Sequence, residues 1–138
     1  MLIRLGCEKD IQVGKLGKLH FKKGFYAYIG SARGSGGFKR VTRHFNVASG
    51  INGTRKWHID YFLPYSDIIL AALSPTTENL ECAISKSLSG FSGIPGFGCS
   101  DCDCTSHLLY SDMDFGKIII DTCKRITGNE SIIIRPHI

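Results

Sequence analysis

Residues 22–34 read KKGFYAYIGSARG, and residues 38–44 read FKRVTRH. Side chains alternate along an extended chain, so Tyr26 and Tyr28 stand on one face of a strand while Phe25, Ala27 and Ile29 stand on the other. The first run therefore predicts a strand over 25–31 with one face carrying two hydroxyls and the other facing a core. Residues 34–37 make a loop, and 38–47 has helical spacing. Phe38, Val41 and Phe45 fall on one side of that helix, with Arg40, Arg43 and His44 on the opposite side. Arg40 and His44, four residues apart, point the same way. A tyrosine-bearing strand thus leads through a glycine-rich loop into a helix expected to bury aromatics and present cations.

Working outward, 2–5, 11–13 and 19–21 read as short strands separated by turns at Glu8-Lys9-Asp10, Gly14-Lys15-Leu16-Gly17 and Lys22-Lys23-Gly24, the pattern of an antiparallel sheet. Beyond the helix, 57–63 suits a second helix that Pro64 ends, and 68–73 a buried strand. Ser74-Pro75 looks like an N-cap followed by the proline favoured at the first helical position, opening a helix to about Leu88. Its apolar stripe is Leu80, Ala83, Ile84 and Leu88. Glu81 borders that stripe and Glu78 lies across the helix from it. Residues 89–107, SGFSGIPGFGCSDCDCTSH, are glycine-rich and irregular, and so long a loop in a compact domain is often functional. A helix over 115–127 and a strand over 132–135 complete the pattern. The expected class is α+β, a small and mainly antiparallel sheet flanked by helices.

The chain of 138 residues suits one domain, 1–138, with a single core. It is 43% hydrophobic and 21% charged, and no apolar run approaches the roughly 18 residues that cross a bilayer, so no membrane partner is expected. The first residues lack the apolar core of a secretory signal. The six cysteines are accordingly read as thiols or metal ligands in a reducing cytoplasm. The formal net charge is +5, unevenly spread: residues 1–56 hold twelve basic against two acidic side chains, and residues 57–138 hold five against ten. A segment with Lys22, Lys23, Arg33, Lys39, Arg40, Arg43 and Lys56 suits a polyanion, because each neutralised phosphate releases condensed counterions.

The order tyrosine, Ile-Gly, loop, Arg-x-x-x-His resembles the GIY-YIG nuclease superfamily. Tyr28-Ile29-Gly30 and residues 38–44 carry the resemblance. Trp57-His58-Ile59-Asp60-Tyr61, Glu81-Cys82, Gly96-Phe97-Gly98 and the Ser100 to Leu108 run then resemble one small prokaryotic branch, sometimes fused to endonuclease III. The resemblance covers residues 1 to about 110. It implies a small antiparallel sheet with flanking helices, one divalent ion (Mg²⁺ or Mn²⁺) and hydrolysis of phosphodiester bonds in DNA, in repair. By the same resemblance Tyr28 is the tyrosine of the second motif, Arg40 the catalytic arginine, His44 the histidine that follows it and Glu81 the metal ligand. Such chemistry builds negative charge that an arginine fork and a hard cation stabilise, while water loses a proton to a base. Mg²⁺ favours one or two carboxylates with several waters, so a single glutamate suffices.

The family's first tripeptide belongs on the strand before Tyr28, and Gly24-Phe25-Tyr26 shares Tyr28's own strand. Its counterpart is expected just upstream of Leu2, where the chain begins at Met1, so the first motif strand reads as truncated. Tyr26 is then the substitute for the first tyrosine. The alternative is a nucleic-acid-binding module of the same fold without hydrolysis. His58 is expected either to contact phosphate or assist proton transfer, or to be a hydrogen-bonded packing residue. Cys99, Cys102, Cys104 and His107, spaced C-x₂-C-x-C-x₂-H, offer four candidate zinc ligands, with thiols in a packed loop as the other reading.

Overall fold

The computed structural model describes residues 1–30, 37–73, 80–88, 90–98 and 106–136. Its elements follow the chain as β1 (Leu2–Leu5), β2 (Lys9–Gln12), β3 (Lys18–Phe21), β4 (Gly24–Tyr28), α1 (Gly37–Ser49), α2 (His58–Phe62), β5 (Asp67–Leu73), α3 (Glu81–Ser87), β6 (Ser92–Gly93), β7 (Leu108–Ser111), α4 (Gly116–Thr127) and β8 (Ile132–Ile134). Six strands form one antiparallel sheet in the order β6-β7-β4-β1-β5-β8, and β2 pairs with β3 in a separate hairpin. This is an α+β fold, a mainly antiparallel sheet flanked by helices.

The alternation read from 25–29 holds, but residues on both faces of β4 pack into cores. Tyr26 packs with Ile3, Leu5, Phe21, Val47, Ile59, Phe62 and Leu108, which places α1, α2 and the β2–β3 hairpin on one side. Ala27 and Ile29 pack with Leu2, Leu70, Ile84, Leu88, Leu109, Phe115 and Ile119, which places α3 and α4 on the other. Strands buried on both faces carry apolar residues on both parities. One β-bulge adjusts the pattern. Leu2 pairs with Leu70 but Ile3 with Ile68, so an extra residue of β5 lies between them. Ile68 and Leu70, which strict alternation would put on one face, fall into opposite clusters.

Two helices depart from their expected faces. Among the described side chains of α1, which exclude that of Phe38, the buried positions are Val41, His44 and Val47, with Phe45 half-buried, so His44 leaves the cationic side and turns inward. The helix that was to open at Ser74 begins at Glu81, with Leu80 as its non-helical N-cap, and residues 74–79 lie outside the described segments. Its buried positions are Ile84, Ser85 and Leu88, while Ala83 is exposed and Glu81 and Cys82 are half-buried. Strand β2 also absorbs Lys9 and Asp10, which the sequence reads as a turn. Among the described residues no helix is long and apolar enough to cross a membrane.

Candidate functional site

The chemistry-bearing side chains gather at the end of the sheet where β1 begins, β4 ends and β7 begins. Backbone bonds fix this corner: the Tyr28 N–H donates to the Met1 carbonyl at 2.9 Å, the Met1 ammonium to the Tyr28 carbonyl at 2.7 Å, and the Ile29 N–H to the His107 carbonyl at 2.9 Å. Tyr28, the last residue of β4, is half-buried there. Its ring meets the His44 imidazole edge-on, with centroids 6.0 Å apart, and meets fully buried Phe97 in the same way at 6.3 Å. Phe97 also packs against His58 at 5.6 Å. Gly98 lies in the seam between Tyr28 and His107, at φ 74°. A Cβ there would come within 3.1 Å of the His107 Cβ and 3.4 Å of the Tyr28 ring. Both the left-handed backbone and the close approach call for glycine.

Trp57, immediately before α2, organises the cations. Its ring lies 6.0 Å from that of His44. The Arg43 guanidinium stands 4.3 Å from its centroid, Arg40 at 5.6 Å and the Lys56 ammonium at 5.7 Å. An indole face is the best side-chain surface for holding such charges together. The charges are not equivalent. Arg43 donates from both terminal nitrogens to the two carboxylate oxygens of Asp60, at 2.7 and 2.8 Å, and Asp60 is fully buried. One Asp60 oxygen also accepts the N–H groups of Lys56 and Trp57, at 2.8 and 2.9 Å, closing the start of α2. Burial would raise the Asp60 pKa, but the Arg43 fork and the two backbone donors outweigh it and hold the carboxyl below its usual range. Arg43, read from the sequence as a phosphate contact, therefore has its fork engaged inside the fold. Lys39, Arg40 and Lys56 are the exposed cations of this corner.

His44 is 8% exposed, and among the described residues its Nδ1 has no hydrogen-bond partner. Burial first, then the N-terminal ammonium and Arg43, lower its pKa to about 4, so the imidazole is neutral at pH 7. The unfolded chain protonates this residue near pH 6.5 and the folded chain near 4, so stability falls as pH drops through that window. Linkage gives roughly 2 kcal/mol lost by pH 5. Denaturant unfolding at pH 7 and pH 5 should show that loss for the wild type, and a flatter response for His44→Gln.

His58 accepts the Gly98 N–H on Nδ1 at 2.8 Å, so its proton, when neutral, sits on Nε2. Burial lowers its pKa. The bond ties His58 to the Gly98 turn. Tyr26 departs from the expected exposed pair of tyrosines: it is 1% exposed and donates its hydroxyl to the Lys22 carbonyl at 2.6 Å. Lys22 and Lys23 lie at the opposite end of β4 from Tyr28. There the Lys22 ammonium approaches the Tyr110 ring at 6.0 Å, and the Tyr110 hydroxyl donates to the Lys23 carbonyl at 2.7 Å. Glu81 opens α3, half-buried and with no hydrogen bond or ion pair among the described residues. His107 is 3% exposed, and its Nε2 lies 3.8 Å from the Cys82 Sγ. Arg33, Cys99, Cys102 and Cys104 lie outside the described residues.

Trp57 and Asp60 are the residues of this corner that sequence reasoning left without a role of their own. The signal available for Asp60 was its position three residues after the start of a helix, where an acid can bond the preceding backbone N–H groups.

Fold and site together define a small α+β protein with a tyrosine, a neutral histidine and an exposed arginine converging at one end of a two-sided sheet. The chain belongs to the family described as the domain of unknown function DUF123, whose model matches residues 1–127. No curated protein and no solved structure matches it.

Proposed function

We propose that this protein is a divalent-metal-dependent endonuclease of the GIY-YIG kind that hydrolyses phosphodiester bonds in DNA. The observation that carries the reading is the convergence on one corner of Tyr28 from β4 with His44 and Arg40 from α1, the last two held against the same Trp57 ring. Arg40 supplies an exposed fork for phosphoryl oxygens, and phosphate recognition favours such a planar, bidentate donor. His44 stays neutral at working pH and so has a lone pair with which to accept a proton at the buried side of Tyr28. Lys39 and Lys56 extend the cationic rim along which a phosphate backbone lies.

Glu81 fits the role of the metal-holding carboxylate. It is half-buried at the start of α3, and among the described residues no cation neutralises it. Its neighbour Cys82 touches His107, which packs on the Tyr28 corner. A hard cation such as Mg²⁺ or Mn²⁺ held by Glu81 would supply charge neutralisation at the phosphate and would lower the pKa of a bound water.

A second reading, a DNA-binding module without hydrolysis, is favoured by one observation. The Tyr26 hydroxyl is committed to the Lys22 carbonyl in the core, so Tyr26 does not serve as the substitute for a first-motif tyrosine. Both readings require phosphate contacts. With Lys39, Arg40 and Lys56 each on a phosphate, log affinity for duplex DNA should fall linearly with log salt, with a slope of roughly −2.7. Lys56→Ala should flatten it by about one unit. A salt-insensitive gel-shift affinity removes nucleic acid from both readings. Nicking of labelled DNA in Mg²⁺ or Mn²⁺ then separates enzyme from binder.

A further inference from the structure

Two buried side-chain polar atoms have no hydrogen-bond partner among the described residues, Nδ1 of His44 and Oγ of Ser85. Buried polar groups nearly always find a partner, so each exception calls for a cause. His44 belongs to the Tyr28 corner. Ser85 lies in α3, one turn after Glu81, and is only 5% exposed.

A hydroxyl inside a helix can turn back to the carbonyl four residues earlier. Thr122 and Thr127 do so in α4, donating to the Ile118 and Cys123 carbonyls at 2.7 Å each. For Ser85 the corresponding acceptor is the Glu81 carbonyl, and that bond is not made. Its hydroxyl is satisfied neither by the local backbone nor across the core.

Helix geometry decides what it can reach. Residues i and i+4 stack on one face, and each Cα–Cβ bond leans toward the N-terminus, so the Ser85 side chain sits beneath that of Glu81. At about 100° per residue Glu81 falls between Leu88 and Ser85, at the head of the arc that α3 buries. Glu81 is half-buried and has no hydrogen bond or ion pair among the described residues. Among those residues no cluster of three or more His, Cys, Asp or Glu could hold a metal ion, so an ion held by Glu81 would rely on this one carboxylate and on water. The orientation of a lone ligand then matters, and carboxylates that hold metals are themselves hydrogen-bonded.

We propose that Ser85 is a positioning residue for Glu81: when Glu81 turns one carboxylate oxygen toward a divalent ion, the Ser85 hydroxyl donates to the other. This rests on the nuclease reading, which assigns the ion to Glu81, and adds the group that sets the carboxylate's orientation. Because the hydroxyl is buried unsatisfied in the metal-free chain, removing it should relieve the fold and weaken the site together. A serine with a merely structural role would not give effects of opposite sign.

Mn²⁺ binding to the full-length protein without DNA, read from the EPR signal of the free ion, tests this apart from cleavage. Glu81→Gln should remove the binding. Ser85→Ala should weaken Mn²⁺ affinity about tenfold or more. The same variant should melt at the wild-type temperature or a few degrees above it when metal-free. Ser85→Cys, which fills the space of the hydroxyl with a weak donor, should bind Mn²⁺ as poorly as the alanine variant. If Glu81→Gln loses the ion while Ser85→Ala or Ser85→Cys binds it as wild type does, the role of Ser85 is overturned and the nuclease reading stands. If the wild type binds no Mn²⁺, or Glu81→Gln binds it equally well, the assignment of the ion to Glu81 is overturned and the role of Ser85 goes with it.

Discussion

Glu81→Gln is expected to abolish metal-dependent nicking while leaving binding to the same DNA unchanged or tighter. The amide keeps the size of the side chain and removes the charge that a hard cation requires. Loss of the ion withdraws several kcal/mol of stabilisation from the developing charge, on the order of a thousandfold in rate. Glu81 makes no hydrogen bond or ion pair among the described residues, so the substitution should leave the melting curve where it was. Arg40→Ala gives the contrasting result. It should lower cleavage by about 10²- to 10³-fold and weaken binding as well, because an exposed guanidinium touches phosphate before the reaction as well as during it. Single-turnover cleavage beside a gel shift without metal reads both quantities. If the wild type binds DNA with the expected salt dependence and never cuts it, the binding-module reading takes the place of the enzyme.

The second large effect is on stability. Asp60→Ala removes the acceptor of the Arg43 fork and of two backbone N–H groups at the start of α2. Breaking a buried ion pair from one side costs about 3–5 kcal/mol. The Arg43 side chain is one-fifth exposed and regains some water, so the lower end of that range applies. For a chain of this size about 3 kcal/mol corresponds to a fall of roughly 10 °C in Tm. Thermal unfolding monitored by Trp57 fluorescence is the natural measurement, since the lone tryptophan carries Arg43 on its ring. A shift of a degree or two would mean that this pair is replaceable and that Trp57 is held by packing alone. Acid should expose the same pair. Its stabilisation is present above the ordinary carboxylate range and is lost as pH falls through the lowered pKa of Asp60, below the window in which His44 acts.

Much of the fold was legible in short-range pattern. The period-two alternation at 25–29, the helical spacing at 38–47, the glycine turns and the apolar run at 68–73 each describe a local balance of burial and backbone geometry that needs no distant partner. So does the class, a small antiparallel sheet with helices. That Arg40 and His44 stand four residues apart on one helix was also readable, because the i, i+4 relation is local. What neighbours decide was not readable. Whether the Tyr26 face of β4 meets water or a second layer depends on where α1, α2 and the hairpin pack, and there Tyr26 becomes core while Tyr28, two residues on, borders the site. His44 looked like part of a cationic face because its own helix carries Arg40 and Arg43. Trp57 and Tyr28, from other elements, draw it inward and make it neutral.

Charge patterns mislead for a similar reason. Composition counts Arg43 among cations available to phosphate, yet a buried carboxylate seventeen residues away satisfies its fork. A charge leaves water only where a partner offsets its desolvation, and the sequence does not state which partner arrives. Cys82 and His107 mark the same boundary: 25 residues apart along the chain, they meet at 3.8 Å between the start of α3 and the start of β7. The sequence by itself determined the strands, the helices and the residue types fit for phosphate and metal chemistry, because these follow from periodicity and side-chain character. Only the tertiary structure decided which of them share a corner, which are spent on holding the fold together and which keep a proton off at neutral pH, because burial and pairing are properties of residues brought together from distant parts of the chain.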